Sequence, residues 1–391
     1  MASTAEVVVA GVGLIPAGEH WTESLRSLAL RAMRAARADV PGLQPQALYV
    51  ANMLAPSLSG QTHLGALLAD FAGYHGIEAY TLEAGGASGG VAFRQGYLAV
   101  ASGLIDVAMV IGVEKMTDKV GPAVESAVAS NVDADHEAVQ GVTPMAQAAM
   151  VMRRYLHETG APSDALAGFS LVAHKNAVTN PNAFYRREIR AEDYRRAPMV
   201  SEPLNLFDAA PIVDGAAAVI LARSDRLTSN DAYPRVRVGG SSVACSVVAL
   251  HDQRDLLRLP AAAESAARAL SQAGVGLEEL DLFELHDQYS IYAALVLESV
   301  GFAQRGRGWE LARDGAIQSD GTIPVSTFGG CKARGDTGGA TGVYQAAEAV
   351  LQLQERAGKN QIAGARVGMA QCLGGAGATA ATHVLVRLDG C

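Results

Sequence analysis

Short apolar runs alternate with helical spacings through the first 110 residues. EVVVAGVGLIP (6–16) is an apolar run that breaks at Gly and Pro, and reads as a strand. Residues 22–38 carry apolar side chains three and four apart, the period of a helix that buries one face. The scheme continues with a strand over 47–54, a helix over 62–76 that stops at Gly76, a strand over 79–86 and a helix over 88–103. VAMVIGVEKM (107–116) is almost entirely apolar, as in a strand covered on both faces. Strand and helix in alternation predict an α/β sheet.

The alternation breaks between about 117 and 205, where HETGAPSD, NPNAF and YRREIRAEDYRRAP are far more polar. This stretch reads as an inserted, mainly helical segment. A strand returns at 216–224, and the scheme then repeats. Strands are expected over 235–244 and 281–287, helices over 259–274 and 290–301, and an extended piece over 322–330. Gly274 is a natural C-cap for the first of these helices. A Gly-rich turn, a long helix (340–358) and two final strands complete the chain, the first of them over 366–375. Two half-chains of like element order predict a duplicated fold, divided as 1–234 (with the insertion) and 235–391.

Composition narrows the function classes. Gly accounts for 42 of 391 residues, where about 7% is usual, so many close backbone approaches are expected. The net charge of −9 argues against a nucleic-acid or anionic-membrane binder, which needs a basic face. Cys245, Cys331, Cys372 and Cys391 are widely separated, and neither a disulfide framework nor a zinc or other metal site is expected. MASTAEVVVAG lacks the basic and apolar regions of a secretory signal, and no apolar run reaches a membrane-span length. A soluble cytoplasmic protein is expected.

Five motifs occur in one order: GVEKMTD (112–118), APIVDGAAAVIL (210–221), His286-Asp287 within ELHDQYS, GGCKARGDTGGATG (329–342) and AQCLGGAG (370–377). Together they resemble the thiolase superfamily over the whole chain, closest to the sterol-carrier-protein-2-type and archaeal branch, which includes lipid-transfer proteins. The resemblance implies a five-layer αβαβα fold of two duplicated halves with a loop domain over the active site. It also implies a homodimer or higher assembly and coenzyme A thioesters as substrates, with no tightly bound cofactor. The chemistry implied is making or breaking a C–C bond beside the thioester, in lipid metabolism. A small DUF35-type OB-fold protein is the implied partner.

The chain departs from that family where the chemistry is done. The family's nucleophilic Cys sits in a segment like EAACASGG; here the segment is EAGGASGG (83–90), with Gly86 in the nucleophile's place. Ser88 suits a helix cap or first turn. The family's GHP reads Asp336-Thr337-Gly338 here. Asp336 is a base, a neutral acid with a raised pKa, or a structural replacement. Cys372 matches the acid/base Cys of the family's CxGG segment, although a free Cys is also a small buried hydrophobe. His286 and Asp287 match the pair that helps to hold the thioester oxygen. Tyr344, Tyr289 and Tyr292 are candidates for proton transfer or for core packing. Backbone N–H groups near Gly86 and Gly375 are candidate oxyanion donors. Arg186 and Arg187, in an arginine cluster of the insertion, are candidates for the phosphates of coenzyme A.

Without a thiol at 86, a ping-pong acyl transfer lacks its carrier. A retro-aldol cleavage of a β-hydroxyacyl thioester needs only a base and enolate donors. Steroid side-chain aldolases of the superfamily resemble this case. The other reading is a non-catalytic acyl-CoA or lipid binder, or a structural subunit of a thiolase–DUF35 complex.

Overall fold

The computed structural model describes residues 5–227 and 233–388; the N-terminal MAST and Cys391, both read above, lie outside them. In the first half, β1 (Val7–Leu14), α1 (Leu25–Asp39), β2 (Ala47–Ala51), α2 (Leu64–Phe71), β3 (Glu78–Leu82), α3 (Ser88–Ala101) and β4 (Val107–Glu114) follow the predicted alternation. The insertion folds as α4 (Pro122–Val128), α5 (Pro144–Thr159), α6 (Ala167–Ala177) and α7 (Ala191–Arg196). It also contains a small hairpin that its polar sequence did not signal, β5 (Met199–Ser201) with β6 (Leu204–Asn205). β7 (Gly215–Arg223) then returns to the main sheet.

The second half runs β8 (Val236–Cys245), α8 (Pro260–Ala273), β9 (Leu282–Glu284), α9 (Ser290–Val300), α10 (Gly308–Arg313), α11 (Thr341–Leu353), β10 (Val367–Gly374) and β11 (Thr379–Arg387). The stretch 322–330 is not a strand: it touches the sheet through one bridge, Val325 to Phe283, and then turns. The helix expected to reach 358 ends at Leu353, and Glu355 just beyond has a φ of 59°.

The main sheet has the order β3-β2-β4-β7-β1-β8-β11-β10-β9. Its halves meet through only two residue pairs, Val8 with Arg237 and Val9 with Val236. α1 packs on β1, β7 and β4, and α8 packs on β8 and β11. α3 and α11 lie between the two half-sheets and touch strands of both. The result is the five-layer α/β order that the resemblance implied. α1 forms because Ser24 caps it, accepting from Ser27 N, and because Leu25, Leu28, Ala29, Ala32, Met33 and Ala36 bury one face. β4 is buried at all eight positions, which explains its unbroken apolar run.

Two features position the site. The first is the crossing of α3 and α11. A Cβ on Gly89 would stand 2.6 Å from Val343 N, and one on Gly342 2.4 Å from Gly90 N. No side chain fits between these backbones, so the Gly-rich segments at 88–90 and 338–342 are there for close packing. The second is Asp214, which is fully buried. It accepts from Lys115 Nζ (2.9 Å), from Thr117 Oγ1 (2.7 Å), and from the backbone N–H groups of His20, Met116 and Thr117. One carboxylate thereby ties the GVEKMTD turn to the start of β7. Burial alone would raise its pKa, but the Lys115 and Thr117 hydrogen bonds outweigh burial and hold it below the ordinary carboxylate range.

Gly89→Ala gains about 1 kcal/mol of helix propensity but overlaps the neighbouring backbone. A net loss of about 1–3 kcal/mol is expected, measured by urea unfolding. Asp214→Ala leaves the buried Lys115 ammonium with only the more exposed Asp118 carboxylate, takes the acceptor from the N–H groups of His20, Met116 and Thr117, and should cost about 3–5 kcal/mol by the same measurement. Because the native pKa of Asp214 is depressed, its stabilisation is intact above the ordinary value near 3.9 and disappears as pH falls through the lower native value. The pH dependence of unfolding should therefore flatten in acid when Asp214 is replaced.

Candidate active site

The ends of β9 and β10, the turn before α3 and the loop before α11 converge on one cavity. Gly86, His286, Gln288, Tyr289, Tyr292, Asp336, Gly338, Leu373 and Gly375 line it, and Met53, Val128, Asn131 and Pro144 complete its wall. Its volume is about 20 Å³, room for about one water. Val128, Asn131 and Pro144 bring the insertion to its wall.

The turn before α3 is built by local bonds. Ser88 Oγ donates to Gly85 O (2.6 Å) and accepts from Ala84 N (2.9 Å), so this hydroxyl braces the turn rather than facing the cavity. Gly85 has a φ of 57°, in the region that favours glycine. A Cβ on Gly86 would lie 2.6 Å from Leu373 O, 3.2 Å from His286 Cε1 and 3.6 Å from His286 Nε2. The backbone of β10 has closed to where a side chain would begin, and the imidazole faces the same spot.

His286 and Asp336 both line this cavity, with Gln288 beside them. Gln288 Nε2 donates to Asp336 Oδ2 (2.8 Å), and the same side chain favours the charged form of His286. Asp336 Oδ1 accepts from Gly338 N (3.0 Å) and Thr341 Oγ1 (3.3 Å). Its backbone N–H donates to Pro211 O and its carbonyl accepts from Val213 N, which fastens this loop to the APIVDG segment. His286 is buried, and its Nδ1 has no hydrogen-bond partner among the described residues. Burial lowers its pKa despite the nearby charges of Asp336 and Asp287. The imidazole is thus neutral at neutral pH and able to take a proton.

Other expected residues go elsewhere, for a simple reason. In extended chain, side chains alternate between faces. His286 and Gln288 share the cavity face, so Asp287 turns away and accepts from Cys331 N (2.6 Å) and Ser326 Oγ (3.2 Å). In β10, Leu373 faces the cavity, so Cys372 points the other way; Gly375 reaches the cavity from the turn just past the strand, with a φ of 58°. Its Sγ is packed with Ala87 and Ala381 and approaches only the carbonyls of Ala87 (3.6 Å) and Ala381 (3.9 Å). Burial pushes this thiol up to about 12. Cys372 is therefore not brought to the cavity. Neither is Tyr344, whose hydroxyl donates to Ile15 O (2.5 Å) and whose ring lies under the buried Arg334 guanidinium. Cys331 is buried beside Asp287, and burial holds its thiol well above the ordinary value.

The tyrosines that do reach the cavity are Tyr289 and Tyr292. Gln288 and Asn131 also line it, and neither was singled out from sequence. For Gln288 the signal was available: two positions past His286 on an extended strand end means the same face. Asn131, in the insertion, offered none. Glu114, from the GVEKMTD motif, lies behind the wall, accepts from Met53 N and Leu54 N, and is raised by burial to about 8. Arg187 lines a separate groove of about 610 Å³ beside the cavity, with Lys332 and the apolar side chains of Ile189, Val200 and Phe207. Arg186 does not line it. Among the described residues no group of three or more His, Cys, Asp or Glu side chains is placed to hold a metal, and no helix is long and apolar enough to cross a membrane.

Comparison with known proteins agrees with this architecture. The "Thiolase, N-terminal domain" family matches residues 7–225, and the "Thiolase C-terminal domain-like" family matches 242–387. The chain is 43% identical over 384 residues to an acetyl-CoA acetyltransferase of Methanothermobacter thermautotrophicus, covering 98% of this chain and 100% of the relative. It is 28% identical over 284 residues to the 17-hydroxy-3-oxo-4-pregnene-20-carboxyl-CoA lyase of Mycobacterium tuberculosis, covering 69% and 72% of the two chains. In fold it is similar to the Ltp2-ChsH2(DUF35) aldolase, with a TM-score of 0.84 at 24% identity over 99% of each chain. Matching family domains in both halves and a relative aligned end to end establish that the chain belongs to the thiolase family.

Proposed function

We propose that this protein acts on an acyl-CoA and makes or breaks the C–C bond beside the thioester without a covalent acyl-enzyme. The observation that carries this reading is the cavity itself: a glycine at position 86, where the family resemblance places the nucleophile, faces a neutral His286, with the hydrogen-bonded Gln288 and Asp336 on the same cavity wall. In the cleavage direction, His286 takes the proton from the β-hydroxyl. The Cα–Cβ bond breaks, the β-carbon leaves as a carbonyl, and the electron pair passes into the thioester enolate. Proton return to Cα releases the shortened acyl-CoA. Backbone N–H groups near Gly86 and Gly375 receive the enolate oxygen. Two relatives support the reaction class, one named a CoA lyase and the other an aldolase.

Asp336 orients Gln288 and anchors the loop, and its negative charge favours the imidazolium that forms when His286 takes the proton. Arg187, on the rim of the neighbouring groove, is the candidate for a coenzyme A phosphate. A DUF35-type protein is the proposed partner, supported by the composition of the aldolase complex of like fold. An assembly of at least two chains is proposed with it.

The test is to incubate the protein, with and without a DUF35-type partner, with a panel of acyl-CoAs and follow products by mass spectrometry. Paired carbonyl and shortened acyl-CoA products are expected, while the peptide over 79–103 keeps its unmodified mass. A turning-over acyl adduct on that peptide would overturn the non-covalent route.

The rate should depend on neutral His286. Its folded pKa lies below the ordinary 6.5, so activity is expected to hold above that value and to fall as pH drops through the lower folded one. A pH–rate profile of wild type and His286→Ala reads this directly: the variant should lose on the order of 10²–10⁴ in rate together with the acid limb.

A further inference from the structure

α11 carries a buried polar stripe where a helix packed between two half-sheets is expected to be apolar. Thr341, Gln345, Glu348 and Gln352 follow at spacings of four, three and four, so they share one face, and each is at most 2% exposed. One end of the stripe touches the candidate active site. Thr341 Oγ1 donates to Asp336 Oδ1 (3.3 Å), and Asp336 lines the cavity. The other end reaches the surface. Gln352 Nε2 donates to Thr327 Oγ1 (2.9 Å), and that hydroxyl donates in turn to the buried Glu284, at the end of β9. Thr327 lines a groove of about 660 Å³ that it shares with the exposed Thr179 and Lys359.

The middle of the stripe holds polar atoms that the protein leaves unbonded. Both amide atoms of Gln345, both carboxylate oxygens of Glu348 and all three guanidinium nitrogens of Arg334 are buried without a hydrogen-bond partner among the described residues. Arg334 Nε lies 3.1 Å from Glu348 Oε1, but no N–H is aligned on the carboxylate, and the Tyr344 ring occupies the guanidinium face at 4.7 Å. Buried polar groups in native proteins are nearly always paired, with protein or with ordered water, and a buried water needs two to four polar partners. Three neighbouring side chains with seven such atoms provide them.

We propose that ordered waters occupy the space among Arg334, Gln345 and Glu348, and that the stripe they complete is a proton route from the groove at Thr327 to Asp336 in the cavity. A proton entering at the groove passes through Thr327 to Glu284 and crosses water to Glu348. It reaches Thr341 and Asp336 over the water held by Gln345. Each group releases one proton as it takes one, so nothing is oxidised or reduced. Burial raises both carboxyls toward neutral pH against the pull of the Arg334 charge, which suits groups that take and release a proton there. The inference rests on the acyl-CoA reading and adds a path by which solvent protons exchange with the cavity from behind, while a thioester occupies its front.

The experiment has two arms. The first is a high-resolution crystal structure of the free protein, in which waters bridging at least two of Arg334, Gln345 and Glu348 are expected. The second follows solvent deuterium entering Cα of acetyl-CoA and butyryl-CoA by mass spectrometry, with the affinity of each thioester from calorimetry, for wild type, Gln345→Leu and Thr327→Val. Neither residue lines the cavity, so affinity should stay within about twofold. Exchange should fall by about 10²-fold in both variants, the low end of what a positioned proton carrier contributes. A dry site with the three side chains bonded directly to one another overturns the inference. So does exchange that is unchanged in the variants, or exchange that falls only as far as affinity does. Wild type that binds the thioesters without exchanging Cα overturns the route and leaves the acyl-CoA reading standing. Wild type that binds neither removes the acyl-CoA reading and the route with it.

Discussion

The site depends on one steric constraint, the contact of two helices through glycine. α3 and α11 occupy the layer between the half-sheets and approach so closely at Gly89 and Gly342 that a methyl group would overlap backbone. The first of these helices begins just after Gly86, the second just after Asp336. Their crossing therefore brings the amino end of an element from each half to the same cavity. The opposite wall comes from the sheet, through His286 just past β9, Leu373 of β10 and Gly375 just past it. Move the crossing apart by the width of a methyl group and the distance between position 86 and the Asp336 loop changes with it.

Strand-end alternation then decides which side chains enter. His286 and Gln288 point one way and Asp287 the other; Leu373 points one way and Cys372 the other. A motif quoted as adjacent letters hides this split. His286-Asp287 reads as a functional pair, but only its first member meets the cavity, while the second holds the 326–331 turn through Ser326 and Cys331. The carboxylate at Asp287 still matters to the site, because that turn leads directly into the segment carrying Asp336.

Much of this was legible in the sequence. The period-3.6 and apolar stretches placed β1, α1, β4 and α8 to within a few residues, and the Gly-rich motifs pointed to close backbone approaches before any contact was known. His286, Asp336, Gly86 and Gly375 were named from motif order and do meet. What was missed has physical causes. Cys372 and Tyr344 carry reactive groups, and residue type alone does not show that burial between layers has withdrawn them. Gln288 carries no charge and no nucleophile, so it drew no notice although it bonds Asp336 and shares the cavity with His286. The insertion's β5–β6 hairpin and the role of Asn131 depend on tertiary packing of a polar stretch whose period is not informative.

The loss of a thiol at position 86 also changes what the remaining groups must do. A nucleophilic Cys needs a base beside it only to form thiolate, and the helix amino end shares that task. With glycine there, the helix end has no anionic side chain to stabilise. On the proposed route its N–H groups serve a charge that develops on substrate, and His286 faces a ligand oxygen instead of a sulfur. Its depressed pKa suits this change: a base that must be neutral before each turnover is better held unprotonated by burial than kept charged by an ion pair. Gln288 is a neutral carboxamide bonded to Asp336, so that carboxylate spends one oxygen on an amide rather than on the imidazole. A direct His–Asp contact would raise the imidazole's pKa and carry the acid limb of the proposed reaction to higher pH. Without that contact the imidazole stays an unprotonated base over a wider range of pH.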